Sequence, residues 1–179
     1  GALTLTSAGN AATPTQFAAA LAAVTYTNTS DNPSTAARTV SYVVSDGTND
    51  SASLDNTVNV TALNDAPTVT SANSITVVEN DPATILNAGI TVGDVDSAGL
   101  ASATATISAN YVNGEDVLGF ANDGATMGNI IGSFNAGTGA LTLTSAGNAA
   151  TPTQFASALA AVTYTNTNAI PSLATRIVS

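Results

Sequence analysis

Apolar and polar residues alternate with a period of two along much of this chain. Val40, Tyr42 and Val44 sit between polar or smaller neighbours; Ala52, Leu54, Val58 and Val60 share one parity in "SASLDNTVNVTAL". Ile75 and Val77 do so in "SITVVEN", and Ala101, Ala103, Ala105 and Ile107 in "ASATATIS". Period-two runs of this kind predict half-buried β-strands. The pairs Asp46-Gly47, Asn113-Gly114 and Asp123-Gly124 fall between such runs and predict turns. One stretch breaks the rhythm. In "TPTQFAAALAAV", Thr13 is placed to cap a helix, Pro14 suits its first position, and Gln16 completes a capping box. Phe17, Leu21 and Val24 then share a face, which predicts a short helix packed across a sheet edge.

The same helix signal returns at Thr151, Pro152, Gln154, Phe155, Leu159 and Val162, because residues 1–41 and 139–179 are near-copies. They align without a gap and differ at seven positions: Ala19/Ser157, Ser30/Asn168, Asp31/Ala169, Asn32/Ile170, Thr35/Leu173, Ala37/Thr175 and Thr39/Ile177. One repeat unit is therefore 138 residues, and the chain holds about one and a third of them. Five of the seven differences lie at 30–37 or its copy, where a loop is expected.

Composition narrows the chemistry. The sequence has twelve Asp plus Glu, two Arg (Arg38 and Arg176), and no Lys, His, Cys or Trp. Without Cys and His there are no disulfides, thiolate nucleophiles, imidazole ligands or Ser-His triads. Without Lys there are no Schiff bases and no P-loop. The net charge of −10 disfavours nucleic acid and anionic membranes as partners. No apolar run approaches the roughly 20 residues that span a bilayer, so direct membrane insertion is not expected. What an acidic surface can attract is a divalent cation.

The acidic residues occur in an ordered series of short motifs. "VVEN" carries Glu79, "DVDSAG" carries Asp94 and Asp96, "VVSDG" carries Asp46, and the linker "NDAP" carries Asn64 and Asp65. With "FNAGTGALTL" between them, the series resembles the cadherin family, and most closely the cadherin-like repeats of very large secreted bacterial adhesins. The resemblance covers nearly the whole chain. It implies an all-β fold of tandem cadherin-like, immunoglobulin-like β-sandwich modules with one short helix each. Residues 1–64 would be the C-terminal half of one module, and 65–179 the next, cut before its last two strands.

The resemblance also implies a cofactor, Ca²⁺, held at module junctions by Asn64, Asp65, Asp94, Asp96, Glu79 and Asp46. Calcium takes about six to eight oxygen ligands from carboxylates, amides, carbonyls and water. By family analogy Asp46 serves the junction before its own unit, and Glu79 the junction after the unit it begins. The chain departs from the family's pattern at "TPTQF", where a calcium-binding acidic stretch is absent, and in its shortened linker "ALNDAP". About one or two ions per junction are therefore expected. The implied function is a structural spacer of an extracellular, cell-surface, calcium-dependent adhesin or fibre, whose partners are neighbouring modules. The alternative is a module that itself grips a protein, a glycan or a like module. No enzymatic role is expected: Glu115 and Asp116 are adjacent in a turn, where side chains usually point apart. Because the two partial modules complement each other, head-to-tail self-association between chains is a further expectation.

Overall fold

The computed structural model describes residues 1–179 except Ala72 and Glu79, and the chain divides into two compact units, Gly1–Leu63 and Asn64–Ser179. Most of the regular structure is β, in several small antiparallel sheets with two α-helices.

In unit Gly1–Leu63 the elements are α1 (Pro14–Ala22), β1 (Arg38–Tyr42) and β2 (Leu54–Val58). The two strands form a hairpin, with Arg38 opposite Val58 and Tyr42 opposite Leu54. The turn between them is closed by the Asp46 carboxylate, which accepts from Thr48 N and Asn49 N, both at 2.8 Å. Gly47 follows at φ +93°, the left-handed backbone that glycine adopts without strain. The capping box forms as the sequence predicts: Gln16 N donates to Thr13 Oγ1, and Thr13 N to Gln16 Oε1. No residue of α1 is buried.

In unit Asn64–Ser179 the elements are β3 (Thr68–Thr70), β4 (Thr84–Ile85), β5 (Thr91–Gly93), β6 (Ser102–Ala109), β7 (Asp116–Gly119), β8 (Ile130–Asn135), β9 (Ala140–Ser145), α2 (Pro152–Ala160), β10 (Thr163–Asn166) and β11 (Ile177–Val178). They pair in the orders β11-β6-β9-β8, β4-β10-β7 and β3-β5. The alternation in β6 sets its register: Ala103 lies opposite Leu143 and Ala105 opposite Leu141, so Ala105, Ile107, Leu141 and Leu143 all turn inward. Leu118 of β7, Met127, Ile130, Val162 and Tyr164 complete the core with Phe155 and Ala158 of α2. Pro152 starts α2, and Thr151 and Gln154 cap it as their copies cap α1.

One strand expectation fails. Residues 73–78 form no strand, although Ile75 and Val77 are half-buried at alternate positions. The neighbouring strand β10 already has β4 and β7 on its two sides, and among the described residues a backbone bond from Asn80 N to Asn166 O ties this stretch to it. The alternation here serves packing, since Val77 lies against the core.

Candidate functional site

The "DVDSAG" loop follows β5 and is held in place from both sides. The Asp94 carboxylate folds back on its own turn, where its Oδ1 accepts from Ser97 N at 2.8 Å and Asp96 N at 3.2 Å. The Ser97 N–H is the main reason its pKa lies below the usual carboxylate value, so Asp94 is ionised at neutral pH. At the end of the loop, a Cβ on Gly99 would meet the Asn148 carbonyl oxygen at 2.0 Å, so only glycine fits. Leu100 N then bonds Ala150 O at 2.9 Å and leads into β6.

This anchoring aims the rest of the loop at the linker. Asp65 N donates to Asp96 Oδ2 at 3.0 Å, across 31 residues of sequence. Ser97 Oγ reaches Asn64 Oδ1 at 3.5 Å, and Asn64 Nδ2 donates to Asp65 O at 2.8 Å. The other Asp96 oxygen, Oδ1, is shielded from solvent and has no hydrogen-bond partner. A buried carboxylate oxygen left bare loses solvation without a compensating bond. A hard cation is one group that would satisfy it, and the neighbouring oxygens of Asn64, Asp65 and Asp94 are the donor type calcium takes.

Asn64, Asp65, Asp94 and Asp96 are thus brought to one loop and linker. Asp46 lies in the other unit, where its carboxylate closes the hairpin turn and the Asn49 and Thr48 N–H groups lower its pKa. Glu79 lies outside the described residues. Among the described residues, no three Asp, Glu, His or Cys side chains stand close enough to form a ready-made metal cluster. Any ion here would draw on amide, carbonyl or water oxygens besides the carboxylates.

One buried carboxylate network is a feature that sequence reasoning missed. Asp116 begins β7 and is fully buried. Its Oδ1 accepts from Tyr164 Oη at 2.5 Å and Asn166 Nδ2 at 2.7 Å; its Oδ2 accepts from Val112 N at 2.8 Å and Arg176 Nε at 3.3 Å. Burial alone would push the Asp116 pKa up, but the Tyr164 hydroxyl, Val112 N–H, Asn166 amide and Arg176 guanidinium outweigh it and hold it below the usual range. For Tyr164, burial and the Asp116 carboxylate push the pKa up. Every oxygen of this carboxylate is engaged, which suits a structural anchor rather than an acid-base catalyst. A signal was present in the sequence: a chain this poor in cations places an Arg at the same position of both copies.

Among the described residues no helix is long and apolar enough to cross a membrane. No protein-family profile, no curated protein and no solved structure matches this chain.

Proposed function

We propose that this chain is a structural spacer and adhesion module of an extracellular, calcium-dependent bacterial adhesin or surface fibre, built from tandem cadherin-like β-sandwich modules. In this reading Asn64, Asp65, Asp94 and Asp96 hold Ca²⁺ where one module passes to the next. The observation that carries it is the meeting of linker and loop: Asp65 N bonds Asp96 Oδ2 while Asp96 Oδ1 stays bare. The order of the short acidic motifs and the near-identical repeat support it, because a spacer needs each unit only to stack on its neighbour.

When bound, the ion supplies positive charge that lets carboxylates crowd together which otherwise repel. The chain's own residues do the rest. Ser97 and the Asp96 N–H orient Asp94, Gly99 keeps the loop against the chain, and Asp65 N steers Asp96 toward the linker. A loose linker then becomes a stiff one.

Calcium titration of the melting temperature and of small-angle scattering tests this. At calcium about a hundredfold above Kd the stabilisation is about 2.7 kcal/mol. Asp96→Ala abolishes the calcium-dependent shift and Glu115→Ala keeps it. A wild-type melting curve unmoved up to about 10 mM calcium, about tenfold above the weak end for extracellular modules, overturns the ion's role.

A further inference from the structure

The sequence contains one Asn-Gly pair, Asn113-Gly114. Its backbone makes a tight turn. Glu115 N bonds Val112 O at 3.2 Å, Asp116 N bonds the same oxygen at 3.1 Å, and Gly114 stands at φ +85°, as the third residue of a type II turn does. Asn113 and Gly114 are both exposed, and a Cβ on Gly114 would meet nothing within 4 Å. Among the described residues no hydrogen bond is found for the Asn113 side chain or for the Gly114 N–H. We propose that Asn113 is a site of spontaneous deamidation, in which the Gly114 nitrogen of the folded chain is the nucleophile and water the co-reactant.

The chemistry balances with water alone. The Gly114 nitrogen gives its proton to hydroxide and attacks Asn113 Cγ. A bond from Gly114 N to Cγ forms, the Cγ–Nδ2 bond breaks, and Nδ2 takes a proton from water and leaves as ammonia. The product is a cyclic succinimide. Water then opens the ring at either carbonyl. Cleavage of the new N–Cγ bond gives aspartate. Cleavage of the original peptide bond gives isoaspartate, whose main chain runs through Cβ and Cγ and is one carbon longer. Glycine favours the attack because no side chain hinders the approach of its backbone. An exposed turn also opens locally at little cost, which frees Asn113 to reach the reactive geometry.

Other turns of the chain resist the same reaction. Asn87 Oδ1 accepts from Gly89 N at 3.0 Å, Asn122 Oδ1 from Gly124 N at 2.7 Å and Asn135 Oδ1 from Gly137 N at 2.8 Å, and each of these asparagines is followed by a residue with a side chain. At Asp46-Gly47 and Asp123-Gly124 the side chain is a carboxylate that backbone N–H groups two and three residues on hold in place and keep ionised at neutral pH, which makes its carbon a poor electrophile. The turn at Asn113 matters because it supports Asp116. Val112 N donates to Asp116 Oδ2 at 2.8 Å, and Thr167 N bonds Glu115 O at 3.0 Å. An isoaspartate lengthens the main chain inside this turn and pulls those bonds apart. Conversion therefore adds a negative charge beside Glu115 and loosens the Asp116 anchor, as a slow clock on the stability of unit Asn64–Ser179. It uses no calcium, and its failure would leave the calcium reading intact.

Ageing the full chain in native buffer tests it. At mildly alkaline pH, peptide mapping by mass spectrometry is expected to show residue 113 converted from amide to acid ahead of the other asparagines. Ammonia is released, and enzymatic methylation detects the isoaspartate. Mildly acidic buffer should slow the conversion, and N113Q, whose ring would be larger by one atom, should show none at this position. The isoaspartate form, isolated by chromatography, is expected to melt about 2–4 °C below fresh protein, the scale of one lost hydrogen bond in a chain of this size. N113D carries the same charge without the added carbon and should melt closer to fresh protein. An intact Asn113 while other asparagines convert, conversion equally fast in acid, or an isoaspartate form that melts no lower than N113D would each overturn the proposal.

Discussion

Residues 1–41 and 139–179 place nearly one sequence in two surroundings. Both copies form the same capped helix, and both turn through a left-handed glycine and asparagine before it, at Gly9-Asn10 and Gly147-Asn148. Both bond the serine hydroxyl to a backbone N–H five residues on, Ser7 to Ala12 at 2.8 Å and Ser145 to Ala150 at 2.9 Å. Beyond these local features they part. Leu143 is 0% exposed and Leu5 36%; Tyr164 is 8% exposed and Tyr26 44%. β9 and β10 exist only where β6, β7 and β8 lie beside them. Helix caps and turns are thus encoded within a few residues, whereas strands and core require a partner from elsewhere in the chain.

The contrast is sharpest at the helix phenylalanines. Phe155→Ala should cost about 3–5 kcal/mol, the range for a buried aromatic, whereas Phe17→Ala should cost about 1 kcal/mol or less, as for a partly exposed position. Urea melts of the two variants check this, and equal costs would mean that both copies are covered alike.

Asp116→Ala should come next, at about 3 kcal/mol. It strands Arg176, Tyr164 and Asn166 beneath the surface, although Arg176 keeps its two carbonyl bonds. Arg38→Ala should cost far less, since no ion pair is found for it among the described residues. The same site makes stability depend on pH. The Asp116 pKa is lowered by folding, so the unfolded chain binds more protons in acid. Its contribution is complete above the ordinary carboxylate pKa of about 4 and is lost as pH falls through the lower folded value. The Tyr164 pKa is raised by folding, so its contribution is complete below about pH 10 and is lost as pH rises beyond that. Asp116→Asn should flatten the acid limb of the melting-temperature profile.

The smallest effect is expected at the caps, where the two copies should agree. Thr151→Ala removes a local bond worth about 1 kcal/mol, and Thr13→Ala should lower helix content in its own copy to a similar degree. Circular dichroism of the two variants reads this, and a large disparity would mean that the caps too depend on distant cover.

This division between local and distant encoding also marks what could be read from the sequence. The helix at Pro14, its copy at Pro152 and the Asp46-Gly47 turn were legible because their chemistry lies within a few residues. The alternation of Ala103, Ala105 and Ile107 was legible because strand β6 buries one face. Residues 73–78 have the same alternation and no strand, since alternation reports burial and not backbone pairing. Of the acidic positions, the family resemblance implies that the linker and the "DVDSAG" loop are neighbours, and Asp65 N bonds Asp96 Oδ2. The sequence places Asp116 in a turn and hides its anchoring role, because its partners Tyr164, Asn166 and Arg176 lie about 50 residues or more away.

Native-state hydrogen exchange in dilute solution, resolved by residue, tests most directly the claim that cover by residues 100–138 creates the folded core. The amides of Leu143, Ser145 and Thr165, in paired strands, should be protected up to the limit set by global unfolding. Their counterparts Leu5, Ser7 and Thr27 should exchange at close to the rate of an unfolded chain. Equal protection of the two sets in dilute protein would contradict the account.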